Sequence, residues 1–165
     1  MTEPIRPPSL STEMDFEGES FTALYTTTVT VTGGAAAHGR ASGRARSDDG
    51  GLDIDLRMPA ELGGDGRGTN PEQLFAVGFA ACFHGALSLV ARQAALDPTG
   101  ISVEATVAFG RNPQDGGYVL YVDLVVRWPG VALDVAARLL QRADALCPYA
   151  RMAWYGTPTT ITLAT

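Results

Sequence analysis

The sequence is poor in cysteine and histidine, with two of each among 165 residues. No CxxC or HxxxH spacing joins them, so no zinc site is expected. Charged residues make up only 18%, and a net charge of −6 comes with no basic run. That argues against nucleic acid or an anionic membrane surface as a partner. No uninterrupted apolar run reaches the roughly 20 residues of a membrane span. The longest, Leu74 to Val90, is broken by His84, glycines and serine, and reads as a buried helix of a soluble protein. The glycines at 63–68 lack the Gly-Lys-Ser/Thr ending of a phosphate loop, and there is no serine nucleophile elbow. No repeat of fixed period and no low-complexity tract is present. Met1 to Glu19 carries acids and three prolines without an apolar stretch, so it does not read as a signal peptide. Residues 1–20 are expected to be a mobile extension, ahead of a single domain over 21–165. With no leader, the expected compartment is the reducing cytoplasm. A cysteine pair there is more often catalytic, redox-sensing or metal-binding than a structural disulfide.

Hydrophobic residues are plentiful at 45%, and their spacing changes along the chain. Phe21–Thr32 is rich in Thr, Val and Tyr and predicts a strand, with Gly39–Ser47 as its hairpin partner. Asp48-Asp49-Gly50-Gly51 is a turn signal. Leu52, Ile54, Leu56 and Met58 alternate with charged residues, giving a third strand with one buried face. Asn70-Pro71-Glu72-Gln73 predicts a helix start: Asn70 as N-cap, Pro71 at the first position, Gln73 closing a capping box. That helix is expected from Pro71 to about Leu96, apolar nearly all round and packed closely by neighbours. Ile101–Phe109 and Tyr118–Trp128 predict a strand pair. Val131–Leu146 predicts a second helix that Pro148 disturbs, and Thr157–Ala164 a last short strand. The order gives an α+β fold, two main helices against antiparallel sheet.

Cys82 stands in Phe79-Ala80-Ala81-Cys82-Phe83-His84, on one helical row with Leu74, Gly78 and Ala86. A helical cysteine is most often only a small buried hydrophobe. Burial disfavours the thiolate, so a reactive thiol in that place needs a cation nearby. Arg67 and the arginines at 40, 44 and 46 are the candidates, since guanidinium stays charged when desolvated. Glu72 could hold such an arginine; equally, it suits a helix N-terminus through the dipole alone. Cys147, followed by Pro148 and Tyr149, meets Cys82 only if the second helix ends over the first. Side chains turn by about 100° per helical residue, so His84 does not readily share a site with Cys82. His38 falls in a loop.

Three stretches resemble the OsmC/Ohr family, in its organic hydroperoxide resistance branch. They are Thr69-Asn70-Pro71-Glu72-Gln73-Leu74-Phe75-Ala76 with Gly78-Phe79-Ala80-Ala81-Cys82-Phe83; Ala145-Leu146-Cys147-Pro148-Tyr149; and the segments around Leu24–Gly34, Ser47–Leu56 and Glu61–Gly64. The resemblance spans about residues 22–164 in order. It implies an OsmC-like fold, an intertwined homodimer with its sites at the subunit interface, and thiol-dependent reduction of organic hydroperoxides to alcohols. It implies Cys82 as the peroxidatic cysteine, Cys147 as the resolving one, and Glu72 as the holder of a catalytic arginine. Arg40 matches that arginine if one residue is inserted after it; Arg44 is the alternative. Phe75, Phe79 and Phe83 are expected to line an apolar site for alkyl or fatty-acid hydroperoxides. The reductant implied is a dithiol on a lipoylated protein, with no metal and no bound cofactor. Ala150-Arg151-Met152-Ala153-Trp154 departs from the family's usual Ser-Asn-Ala-Thr-Arg. The same residues also fit an OsmC-type peroxidase of broader range, or a non-catalytic redox-sensing or ligand-binding member of the fold.

Overall fold

The computed structural model describes residues 22–34 and 42–164. The expected N-terminal extension, Arg40 and His38 therefore lie outside the described residues. Three strands, β1 (Val29–Thr32), β2 (Gly43–Ser47) and β3 (Asp53–Leu56), form an antiparallel sheet in that order. A single 3₁₀ turn, Ala60–Leu62, precedes helix α1 (Pro71–Gln93). Strands β4 (Ser102–Arg111) and β5 (Tyr118–Arg127) make a long two-stranded hairpin. Helices α2 (Leu133–Leu146) and α3 (Pro148–Tyr155) follow. The architecture is α+β, as the sequence predicts.

The start of α1 follows the expected chemistry. Asn70 accepts from the Gln73 amide at 2.9 Å, and the Gln73 side chain accepts from the Asn70 amide at 3.1 Å. A reciprocal cap of this kind contributes about 1 kcal/mol. The end comes earlier than Leu96. Ala95 adopts a left-handed φ of 55°, its amide donates to Arg92 and the Leu96 amide donates to Ala91. That closes the helix in the manner usually left to glycine.

Helix α1 packs on β4 along one side and on α2 and α3 along another. Leu87, Val90 and Ala91 are fully buried there, joined by Phe79, Phe83, Ile101, Leu139 and Ala143. Each fully buried Leu or Val contributes about 1.5–3 kcal/mol. By length and composition α1 could also cross a membrane; in this fold its apolar side chains form the core instead. The expectation of burial all round does not hold within one chain: Val77 and Leu89 stay 66% and 44% exposed.

The three-stranded sheet keeps largely to itself. Its inner face buries Ala45, Ser47 and Leu56, with Met58 just beyond. A short parallel contact, Arg57 amide to Thr69 carbonyl at 2.8 Å, ties β3 to the approach of α1. Strand β1 is shorter than predicted, and residues 39–41 of the predicted second strand lie outside the described residues. Two further expectations fail. Thr157–Ala164 holds only an isolated bridge at Ile161 rather than a strand. Pro148 starts a third helix rather than merely disturbing the second, because a proline without an N–H suits the first helical position.

Candidate active site

Cys82 lies mid-way along α1, and Cys147 is the single residue between α2 and α3. The packing of α2 and α3 across α1 brings their sulfurs to 3.4 Å. No disulfide joins them. Cys147 is fully buried, whereas Cys82 keeps part of its surface open. Burial pushes the Cys147 thiol up from its ordinary value, and the neighbouring Cys82 sulfur adds to the shift. The pair thus has an accessible member and a sheltered one, in contact.

An aromatic cluster covers the same row of α1. Phe75, Phe79 and Tyr149 stand with ring centroids 5.8–6.2 Å apart. Phe75 and Tyr149 are half-buried; Phe79 and Phe83 belong to the core. Of the three phenylalanines predicted as lining, Phe75 is the more open, while Phe83 supports from behind. Tyr149 is the residue that sequence reasoning did not place at the site. Its signal was Gly78, a side-chain-free position one turn before Cys82 on the same row.

Glu72 is half-buried in the first turn of α1. It borders a cleft of about 540 Å³ shared with the 3₁₀ turn and with Val107 and Phe109 of β4. Another cleft, of about 720 Å³, lies by Gly33, Gly34, Arg44 and Arg57. Neither is lined by a cysteine. Arg44 and Arg46 both bind Asp53 across the sheet, at 2.6 and 2.8 Å. These hydrogen bonds hold the Asp53 carboxyl well below the usual carboxylate range. His84 meets the carbonyl of Ile101, the residue just before β4, at 3.2 Å, apart from the thiols. Among the described residues no cluster of His, Cys, Asp and Glu could hold a metal.

Residues 64–163 match the family of OsmC-like proteins. The organic hydroperoxide resistance protein of Xanthomonas axonopodis pv. citri is 43% identical over 143 residues, 86% of this chain and 95% of that protein. The chain belongs to the OsmC family, in its organic hydroperoxide resistance branch. Solved members of the branch share its fold. The crystal structure of OhrB of Bacillus subtilis is 40% identical, with a TM-score of 0.68 over 79% of this chain and 92% of that one. That of an organic hydroperoxide resistance protein from Legionella pneumophila is 39% identical, with a TM-score of 0.70 over 79% and 90%. The family match takes in the whole of α1 through α3, and so both cysteines, Glu72 and the aromatic cluster.

Proposed function

We propose that this chain is a thiol peroxidase that reduces organic hydroperoxides to alcohols and so serves in organic hydroperoxide resistance. The observation that carries the reading is the 3.4 Å contact between an accessible and a buried thiol in a chain of this family. The Cys82 thiolate attacks one peroxide oxygen, the O–O bond breaks, and the alkoxide leaves as an alcohol after taking a proton. Cys82 is left as a sulfenic acid. Cys147 then attacks the Cys82 sulfur, the S–S bond forms, and hydroxide departs as water. A dithiol restores both thiols by exchange; a lipoyl group on a lipoylated protein is the reductant we assign. Arg40 stabilises the thiolate and the developing alkoxide, with Glu72 holding its guanidinium. Phe75 and Phe79, with Phe83 in the core beside them, give an apolar wall suited to bulky alkyl or fatty-acid hydroperoxides. The chemistry needs no metal or cofactor.

We read residues 21–165 as one OsmC-type unit that works as a homodimer in the cytoplasm. Val29 and Val31 of β1, Val77 and Leu89 of α1, and Tyr118 to Tyr121 of β5 are all left open by a single chain. That open apolar surface supports the reading, as does the position of the two thiols outside both clefts described above.

The test is turnover of cumene or tert-butyl hydroperoxide with dihydrolipoamide as reductant. Cys82→Ser is expected to abolish turnover, and an unchanged rate would refute the assignment. Cys147→Ser is expected to reduce about one equivalent of hydroperoxide and then accumulate oxidised Cys82. Sustained turnover in that variant would remove the resolving role from Cys147. A chain whose thiols are untouched by one equivalent of hydroperoxide would instead be a binding member of the fold.

A further inference from the structure

Across the joint that carries Cys147, the Trp154 indole of α3 donates to Asp144 of α2 at 3.4 Å. Cys147 closes α2 and opens α3 with an extended backbone, and the Ala150 and Tyr149 amides of α3 donate to its sulfur. Backbone bonds run through it, from the Cys147 amide to Ala143 and from the Arg151 amide to Cys147. These fix the helices internally but do not set α3 against α1. Only two α3 side chains in the first turn turn inward: Ala150, which is small and buried, and Tyr149. At the far end, Trp154 and Tyr155 are exposed.

Tyr149 meets α1 at Gly78 as well as at Phe75 and Phe79. A Cβ at position 78 would stand 2.8 Å from its hydroxyl oxygen and 3.1–3.2 Å from two ring carbons. The hydroxyl end of the ring lies over this position, and a side chain at 78 would require it to shift. Glycine in mid-helix costs roughly 0.5–1 kcal/mol relative to alanine. Phe75 and Phe79 hold the ring from the sides. Gly78 precedes Cys82 by one turn on the same row, and Tyr149 follows Cys147 by two residues. The seat of the ring therefore fixes the register of one sulfur against the other.

We propose that Tyr149 is a positioning residue for disulfide formation, seated on Gly78 and holding Cys147 in contact with Cys82. The inference rests on the Cys82–Cys147 cycle proposed above and concerns only its second step. In that step the Cys147 sulfur must attack in line with the S–O bond of the Cys82 sulfenic acid. While the attack is delayed, a second hydroperoxide molecule can oxidise the sulfenic acid to sulfinic acid and become an alcohol itself. Tyr149 thus sets the balance between turnover and inactivation.

The experiment compares Gly78→Ala, Tyr149→Leu and Tyr149→Phe with wild type in single-turnover reactions with cumene hydroperoxide. Hydroperoxide loss reports the first step; loss of both thiols as a disulfide reports the second. Mass spectrometry reports sulfinic acid on Cys82. Tyr149→Phe keeps the ring on its seat and is expected to match wild type. Gly78→Ala and Tyr149→Leu are expected to consume the first equivalent normally. Their disulfide formation should slow on the order of tenfold or more, as ångström-scale displacement of reacting atoms does, and sulfinic acid should accumulate. Disulfide formation at the wild-type rate in both variants overturns the proposal, and so does equal slowing of both steps. If Tyr149→Leu does not fold by circular dichroism, the contrast between Gly78→Ala and Tyr149→Phe decides alone. A wild type that leaves hydroperoxide intact defeats the cysteine cycle itself, a result distinct from either.

Discussion

In the proposed cycle, Cys147 controls when the oxidised site closes. Its burial disfavours the thiolate, so at neutral pH the sulfur is held as the neutral thiol. The attack on oxidised Cys82 needs the thiolate. The sign follows: a raised value means that disulfide formation accelerates as pH rises through and beyond the ordinary thiol range near about 8.5. We expect the single-turnover disulfide rate to climb across that range. A rate already level by about pH 7 would contradict the direction of the shift. Both cysteines stood out in the sequence through the resemblance; helix phasing put Cys82 on a sheltered row, whereas it is the more open of the two. Tyr149 did not stand out. A sequence shows that Gly78 leaves a gap on the cysteine row, but which distant ring fills the gap depends on how α3 crosses α1.

At the scale of elements, the reading of β2 matters most for the chemistry. Arg44 and Arg46 share Asp53 on an exposed face of the three-stranded sheet, so Arg44 is occupied by strand pairing. Arg44→Ala is therefore expected to loosen the sheet while leaving hydroperoxide turnover largely intact. Arg40→Ala is expected to lower kcat/KM on the order of a hundredfold, the loss typical of one charge-stabilising donor. Measuring both variants under one set of conditions checks the choice; loss with Arg44→Ala alone would reverse it. The long helix was readable to its first residue because capping chemistry is local. Its end was not, because Ala95 gives no glycine-like warning of a left-handed turn. Helix α3 was missed for a related reason. Pro148 is compatible with stopping one helix and with starting another, and only packing against α1 decides between them.

Among the described residues, open apolar side chains stand on β1, α1 and β5, among other elements. The sequence announced α1 as packed on nearly all sides, and within one chain its Val77 and Leu89 stay open. Alternation and all-round hydrophobicity report that a face will be covered; they do not report by which chain. We expect light scattering to give twice the chain mass at micromolar concentration. Val77→Asp, a charge in the middle of the open face of α1, should shift that mass toward the single chain. A monomer at all concentrations would leave the exposed β5 tip without the partner proposed for it.

The placing of the two thiols also bears on how firmly the chain holds together. They are 65 residues apart in sequence, and the segment between them contains part of α1, the whole β4–β5 hairpin and α2. A bond between them would close most of the core into one loop. Loop-closure entropy alone would make that cross-linked form harder to unfold by roughly 4 kcal/mol. Each catalytic cycle would then alternate between a tethered molecule and an untethered one. Hydroperoxide stress would leave the protein at its most resistant to unfolding while it waits for its reductant.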